Sequence, residues 1–344
     1  MKTLVTGGAG FIGSHLVDYL MRRGDEVTVL DDLSTGRVSN IAHQLFDSRF
    51  TFREGSILDA RLVDSLIAQT DRVFHLAAAV GVKIIVEHPL SSLRTNIHGT
   101  ENVLTACTGS GVPLLLASTS EVYGKNESDG LTEESDRILG SALTSRWSYA
   151  AAKGIDESFA HAYYTEFGLN VSIVRLFNTV GPRQTGRYGM VVPNLVGQAV
   201  SGEPLTVFGD GQQTRCFSAV GDIVPALVAL LESESAIGQA VNLGGAHEIS
   251  ILDLAARAIE VTGSASGIEL VPYSEAYAAG YEDMRRRVPD NSKAAALIGF
   301  VPRTGIDQII RLVAESLRTA GSLEGELMER PSRRPLEFAP VVVL

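Results

Sequence analysis

Tyr149 and Lys153 stand four residues apart in "SRWSYAAAKG", residues 145–154, within a run that otherwise reads as helix. Positions i and i+4 share one face of a helix, so the two side chains can point into one site. A free tyrosine titrates at about 10, too high for a base at neutral pH. A neighbouring ammonium favours the phenolate and lowers that value, which makes Tyr149 a usable general base. The spacing alone also describes an amphipathic helix with a solvated lysine, so the chemistry needs a second element. The stretch "LLLASTSEVYG" supplies one, an apolar strand ending in Ser118, Thr119, Ser120 and Glu121. Ligands of open α/β sheets lie outside the carboxyl ends of the strands. From there these hydroxyls can reach a substrate hydroxyl and the Tyr149 oxygen together.

A third element opens the chain. In "VTGGAGFIGSH", Gly7, Gly10 and Gly13 follow an apolar strand and start a helix. Gly7 permits a tight turn, Gly10 lets a pyrophosphate approach the backbone, and Gly13 lets helix pack on strand. The helix N-terminus then offers unpaired N–H groups to the phosphates. The motif precedes "VTVLDD" at the distance a dinucleotide site requires. Asp31, ending that second strand, suits the ribose hydroxyls and repels an added 2′-phosphate, so NAD is expected rather than NADP.

The elements that must position these residues alternate. Short apolar runs ("TLVT", "EVTVL", "RVFHLA", "VPLLLAS", "VSIVRLF") are separated by helix-length amphipathic segments. That rhythm implies βαβ units and a parallel sheet covered on both faces. After "RLFNTVGPR" the alternation lapses into Gly-, Pro- and polar-rich sequence, and helices return at "DIVPALVALLE" and "SILDLAARAIEVTG". The expected fold is α/β, a Rossmann-type doubly wound parallel sheet with a smaller mixed α/β substrate-binding region. Residues 1–177, with about 221–244, make the dinucleotide domain. Residues 178–220 and 245–320 make the substrate region, and 321–344 a poorly ordered tail.

Composition bounds the rest. The chain has 344 residues, 45% of them hydrophobic and 20% charged, an ordinary globular profile. No apolar run reaches the roughly 18 residues of a membrane span, and the glycines break the opening stretch too early for a signal peptide. Two cysteines, Cys107 and Cys216, make no disulfide framework and read as core fillers, so a cytoplasmic protein is expected. The seven histidines lack metal-ligand spacing, and no metal is expected. A net charge of −11 argues against nucleic-acid binding but allows a local basic pocket.

Together, "TGGAGFIG", "HLAA", "STSEVYG", "YAAAK", "RLFNTVGPR" and "GDGQQTR" resemble the extended short-chain dehydrogenase/reductase family, over residues 1 to about 318. More narrowly, they resemble its nucleotide-sugar epimerases, dehydratases and decarboxylases. The resemblance implies that Tyr149 is the base and Lys153 its partner and a nicotinamide-ribose contact, with the Thr119 hydroxyl between them. It assigns Gly7, Gly10, Phe11, Ile12 and Asp31 to the NAD site, lined by Leu76, Ala77 and Asn96, with Ala78 and Lys83 as further contacts. Ser56 stands where relatives often carry an aspartate toward the adenine. For the nucleotide diphosphate it implies Asn178, Asn194, Arg215 and Arg287; guanidinium forks suit a pyrophosphate. Val207 and Phe208 would wall the base, expected to be uracil.

The shared chemistry implied is transient oxidation at sugar C4, and the branch rests on few residues. Glu121 matches an acid/base of 4,6-dehydratases and a carboxylate of UDP-glucuronate decarboxylases, although Ser120 replaces the aspartate that dehydratases for dTDP-glucose carry. The "RW.Y...K" context resembles one decarboxylase group. Met190, however, stands where those enzymes usually show arginine, and "TRCF" departs from the usual forms. The reading leans to a UDP-sugar 4-epimerase, an isomerase. UDP-glucuronate decarboxylase is the alternative, then a 4,6-dehydratase. A non-catalytic NAD-binding scaffold would lose Tyr149 or Lys153, which this chain keeps. By analogy with the family, a homodimer is expected.

Overall fold

A computed structural model describes residues 1–80, 88–186, 190–272 and 284–329, with side chains described to residue 319. Six strands arise in the first half: β1 (Lys2–Thr6), β2 (Glu26–Asp31), β3 (Phe50–Glu54), β4 (Arg72–His75), β5 (Leu114–Thr119) and β6 (Val171–Leu176). The chain then makes the short strands β7 (Thr179–Val180), β8 (Leu205–Phe208), β9 (Thr214–Cys216) and β10 (Ser218–Ala219). It returns at β11 (Ala240–Leu243), and ends its strands with β12 (Glu248–Ser250), β13 (Ile268–Val271) and β14 (Arg286–Arg287).

The central sheet has seven strands in the order β11-β6-β5-β4-β1-β2-β3, every pair parallel. Burial on both faces explains the continuous apolar strands. One face packs the helices Phe11–Arg22 and Val220–Glu232 around Leu16, Leu20, Ile223 and Leu227. The other packs Ala60–Ile67, Pro89–Ser110 and Ser148–Phe167 around Ile67, Val103, Leu104 and Ala160. The fold is therefore the Rossmann-type α/β architecture that the alternating pattern implies. The two longest of these helices are punctuated by sequence: Pro89 occupies a first-turn position, and Gly111 and Gly168 end them in the left-handed region.

Strand order reverses between β1 and β4, and such a switch point opens a crevice at the carboxyl ends. Across that crevice lies a separate core in which the helices Val191–Ser201, Ile251–Thr262 and Ile306–Glu329 pack with β8 through Leu195, Leu205, Leu254 and Ile310. In this part β9 lies between antiparallel β12 and parallel β14, with Arg287 opposite Arg215. Two arginines 72 positions apart in sequence thereby become neighbours. Cys107 and Cys216 are both buried thiols. Lys83 and the segment 330–344 lie outside the described residues.

Candidate active site

The crevice is a cavity of about 530 Å³ that runs from the glycine-rich loop, past the ends of β4 and β5, to β8, β9 and β14. At its first end Gly7 turns with φ of +72°, and a Cβ there would lie 2.7 Å from the Ala77 nitrogen. A Cβ on Gly13 would fall on the Gly7 carbonyl oxygen. The helix Phe11–Arg22 begins with no side-chain cap and no acidic residue in its first turn, so its N–H groups face the cavity uncovered. Asp31 lines the cavity while its carboxylate accepts from Ala9 N (2.9 Å) and Leu33 N (2.8 Å). Burial pushes its pKa up, and those two N–H donors partly oppose the shift. These features fit a dinucleotide: backbone donors at the pyrophosphate, no side chain to obstruct it, and a carboxylate at a ribose.

Gly10, Phe11, Ile12, Leu76, Ala77 and Ala78 line the same end. Asn96 does not. It is fully buried, and its amide closes on Ala79, with Ala79 N donating to Oδ1 (2.8 Å) and Nδ2 donating to Ala79 O (3.2 Å). Asn96 is thus corrected from a lining residue to one that pins the loop after β4. Ser56 is also spent locally, its hydroxyl accepting from Leu58 N.

At the centre, Tyr149 sits in the first turn of Ser148–Phe167 and Lys153 one turn later, both buried and both lining the cavity. Thr119 ends β5 beside them, and its hydroxyl accepts from Glu121 N (3.2 Å), which sets the turn holding Ser120 and Glu121. The expected juxtaposition is present; the expected electrostatics are not. Burial, then Glu121 and Asp156, hold the Tyr149 phenol above its ordinary value. The Lys153 ammonium lies 3.1 Å from the Asp156 carboxylate, which offsets its field.

The far end is cationic. Arg146 donates to Glu121 at 2.6 Å, and Arg287 donates to the other oxygen of the same carboxylate. Arg287 also donates to Asn178 Oδ1 (3.0 Å), whose own amide donates to Cys216 O (2.9 Å). Burial would raise the Glu121 pKa, but Arg287 and Arg146 outweigh it and hold the carboxyl at about 2. Glu121 thus bridges two guanidiniums, whose charges favour its ionised form. Asn194, Phe208, Arg215 and Ser120 line the cavity as the motifs imply. Val207 instead turns into the second core, because side chains alternate along β8 and it is Thr206 and Phe208 that face the site.

Arg146 belongs to the "RW.Y...K" context but was given no role of its own by sequence; it is buried, and a buried arginine needs a partner, here Glu121. Arg183, with φ of +68°, also lines the cavity and is tied to Asp18 at 2.7 Å. Among the described residues no His, Cys, Asp or Glu cluster could hold a metal ion, and no helix is long and apolar enough to cross a membrane.

Fold and cavity together define an NAD-dependent enzyme of the extended short-chain dehydrogenase/reductase class that modifies nucleotide sugars. Residues 4–313 match the GDP-mannose 4,6 dehydratase family, and the chain belongs to that family. A UDP-N-acetyl-alpha-D-glucosaminuronate decarboxylase of Bacillus cytotoxicus is 39% identical over 308 residues, 89% of this chain and 94% of that protein. UDP-glucuronic acid decarboxylase 1 of Xenopus tropicalis is 39% identical over 89% of this chain and 70% of its own length. Among solved structures, UDP-glucuronic acid 4-epimerase of Bacillus cereus, in complex with UDP-glucuronic acid and NAD, has a TM-score of 0.84. It is 30% identical and covers 93% of this chain and 100% of its own.

Proposed function

We propose that the chain decarboxylates a UDP-hexuronic acid by way of a 4-keto sugar. The observation that carries this reading is Glu121 shared by Arg146 and Arg287. The two guanidiniums meet at one carboxylate that, like Tyr149, lines the cavity, in a chain whose net charge is −11. Guanidinium forks of this kind suit a sugar carboxylate. The relatives support the same choice. Two decarboxylases of UDP-uronic acids match across most of the chain, and a structural neighbour binds UDP-glucuronic acid. They favour decarboxylation over the epimerase to which the motifs lean.

The chemistry follows from the geometry. NAD, when bound, supplies the two-electron acceptor for C4 and returns those electrons at the end. Gly7, Gly10 and Gly13, the helix start and Asp31 would hold it. In its ionised form Tyr149 takes the proton of the 4-hydroxyl, and the Thr119 hydroxyl orients that oxygen. The new C4 carbonyl is β to the C6 carboxylate, so the electrons of the breaking C5–C6 bond pass into the carbonyl as carbon dioxide leaves. No acid is needed to expel that group. A 4,6-dehydratase, in contrast, must protonate a leaving hydroxyl, and Ser120 stands where dehydratases for dTDP-glucose carry an aspartate. Having taken that proton, the phenol donates a hydrogen bond to the enolate oxygen as charge develops there; C5 then takes a proton from water, and the phenol returns its own to the C4 oxygen as C4 is reduced.

The test is a panel. Purified protein is incubated with UDP-glucuronate, UDP-N-acetylglucosaminuronate, UDP-glucose and UDP-galactose, and products are read by mass spectrometry and NMR. A UDP-pentose from a uronate substrate is expected. An unchanged mass with inverted C4, from either neutral sugar, would restore the epimerase.

A further inference from the structure

Lys153 has a second partner that the proposed reaction does not use. Asp156, one turn further along the helix, carries its Oδ2 3.1 Å from the Lys153 ammonium; the two side chains are 0% and 3% exposed. A carboxylate so deeply buried is costly unless it is paired. Burial indeed raises its pKa, while Lys153 and the Thr100 hydroxyl pull it back. Thr100 belongs to the facing helix Pro89–Ser110, and the polar contacts continue past it. His75 Nε2 lies 3.1 Å from the Thr100 hydroxyl, and His75 Nδ1 lies 2.7 Å from that of Thr6, the residue before Gly7. Buried polar groups thus lie between the lysine, the carboxyl ends of the central strands β4 and β1, and the foot of the glycine-rich loop.

We propose that Asp156 is a positioning residue for the Tyr149–Lys153 pair: its carboxylate tethers the Lys153 ammonium, offsets its charge, and so sets the pH range in which Tyr149 works. The other charged groups nearby are already committed. On the same helix, Glu157 is held by Arg175 at 2.7 Å. Facing the phenol from the turn after β5, Glu121 is held by Arg146 and Arg287. From β4, burial and then Lys153 depress the His75 pKa to about 3, so this ring is neutral and brings no charge. Asp156 is the carboxylate in contact with the lysine, and its negative charge also bears on the phenol. The proposal rests on the reading of Tyr149 as the base.

Asp156→Asn keeps the shape and removes the charge. Without substrate or NAD, the tyrosinate absorbance of each protein is titrated, with Tyr149→Phe in the matching background subtracted to isolate one phenol. Asp156→Asn is expected to lower that titration by about one pH unit, and to move the acid limb of kcat/KM for UDP-glucuronate down with it. A titration that stays in place, or rises, overturns the proposal, even if the variant is less stable; a purely structural carboxylate would give that result. Should Asp156→Asn fail to fold by circular dichroism, Asp156→Ser is titrated in its place, with the same downward shift expected and an unmoved or raised titration overturning the proposal. Failure of the underlying reading is distinguishable, because Tyr149→Phe would then still turn over substrate.

Discussion

At the scale of single residues, one carboxylate decides which branch of the chemistry the site can run. Glu121 is two residues past Thr119 and is held by two guanidiniums, which favour its ionised form. Arg146→Gln removes one cation without touching the glycine-rich loop. A hydrogen bond to a charged group is worth about 1.5–3 kcal/mol, so KM for UDP-glucuronate is expected to rise roughly tenfold to a hundredfold. The Kd for UDP alone, measured by calorimetry, is expected to stay near wild type, and an equal loss for both would deny Arg146 its place at the sugar carboxylate. Tyr149, Lys153, Thr119 and Glu121 were legible in the sequence because each sits at a fixed offset in a local motif. Arg146 was legible only as part of the "RW.Y...K" context and not as a partner of Glu121, which is 25 positions away. The opposite error at Asn96 has the same root: residue type suggested a polar wall, whereas its amide is consumed by one backbone unit, Ala79.

Elements position those residues, and glycine contacts tell which of them tolerate change. Gly13 packs the first helix against the Gly7 carbonyl, whereas Gly109, late in the helix Pro89–Ser110, has nothing within 4 Å of an added Cβ. Gly13→Ala is expected to cost about 1–3 kcal/mol through overpacking and to weaken NAD binding, read by cofactor fluorescence. Gly109→Ala is expected to stabilise by about 0.5–1 kcal/mol, because alanine is the better helix former. Equal thermal shifts for the two would contradict the packing described. The first half of the fold was readable from alternation, because parallel strands buried on both faces leave long apolar runs between helices. The second half was harder. Its strands have two to four residues, and the β9–β14 pairing that sets Arg215 beside Arg287 joins segments far apart in sequence. At β8 the error was one of phase: Phe208 faces the site, so Val207 must face the core.

For the molecule as a whole, burial of titratable groups under the site couples stability to pH. His75 has a folded pKa of about 3, well below the ordinary histidine value, because burial and then Lys153 oppose its charge. Between the ordinary value and about 3 the unfolded chain holds a proton that the folded chain does not, so stability falls as pH falls through this window. From pH 7 to pH 5 this single ring is expected to cost roughly 2 kcal/mol, measured from urea unfolding. His75→Gln should remove that part of the acid dependence, and an unchanged slope would mean that the ring is not buried neutral. The same crevice that buries this ring joins the two cores and holds the reaction between them. The central claim, oxidation at C4 followed by loss of the sugar carboxylate, is tested most directly with UDP-glucuronate deuterated at C4. The account predicts a UDP-pentose that has lost carbon dioxide and kept the deuterium at C4. A product of unchanged mass, or a UDP-pentose whose label has been lost to solvent, would contradict it.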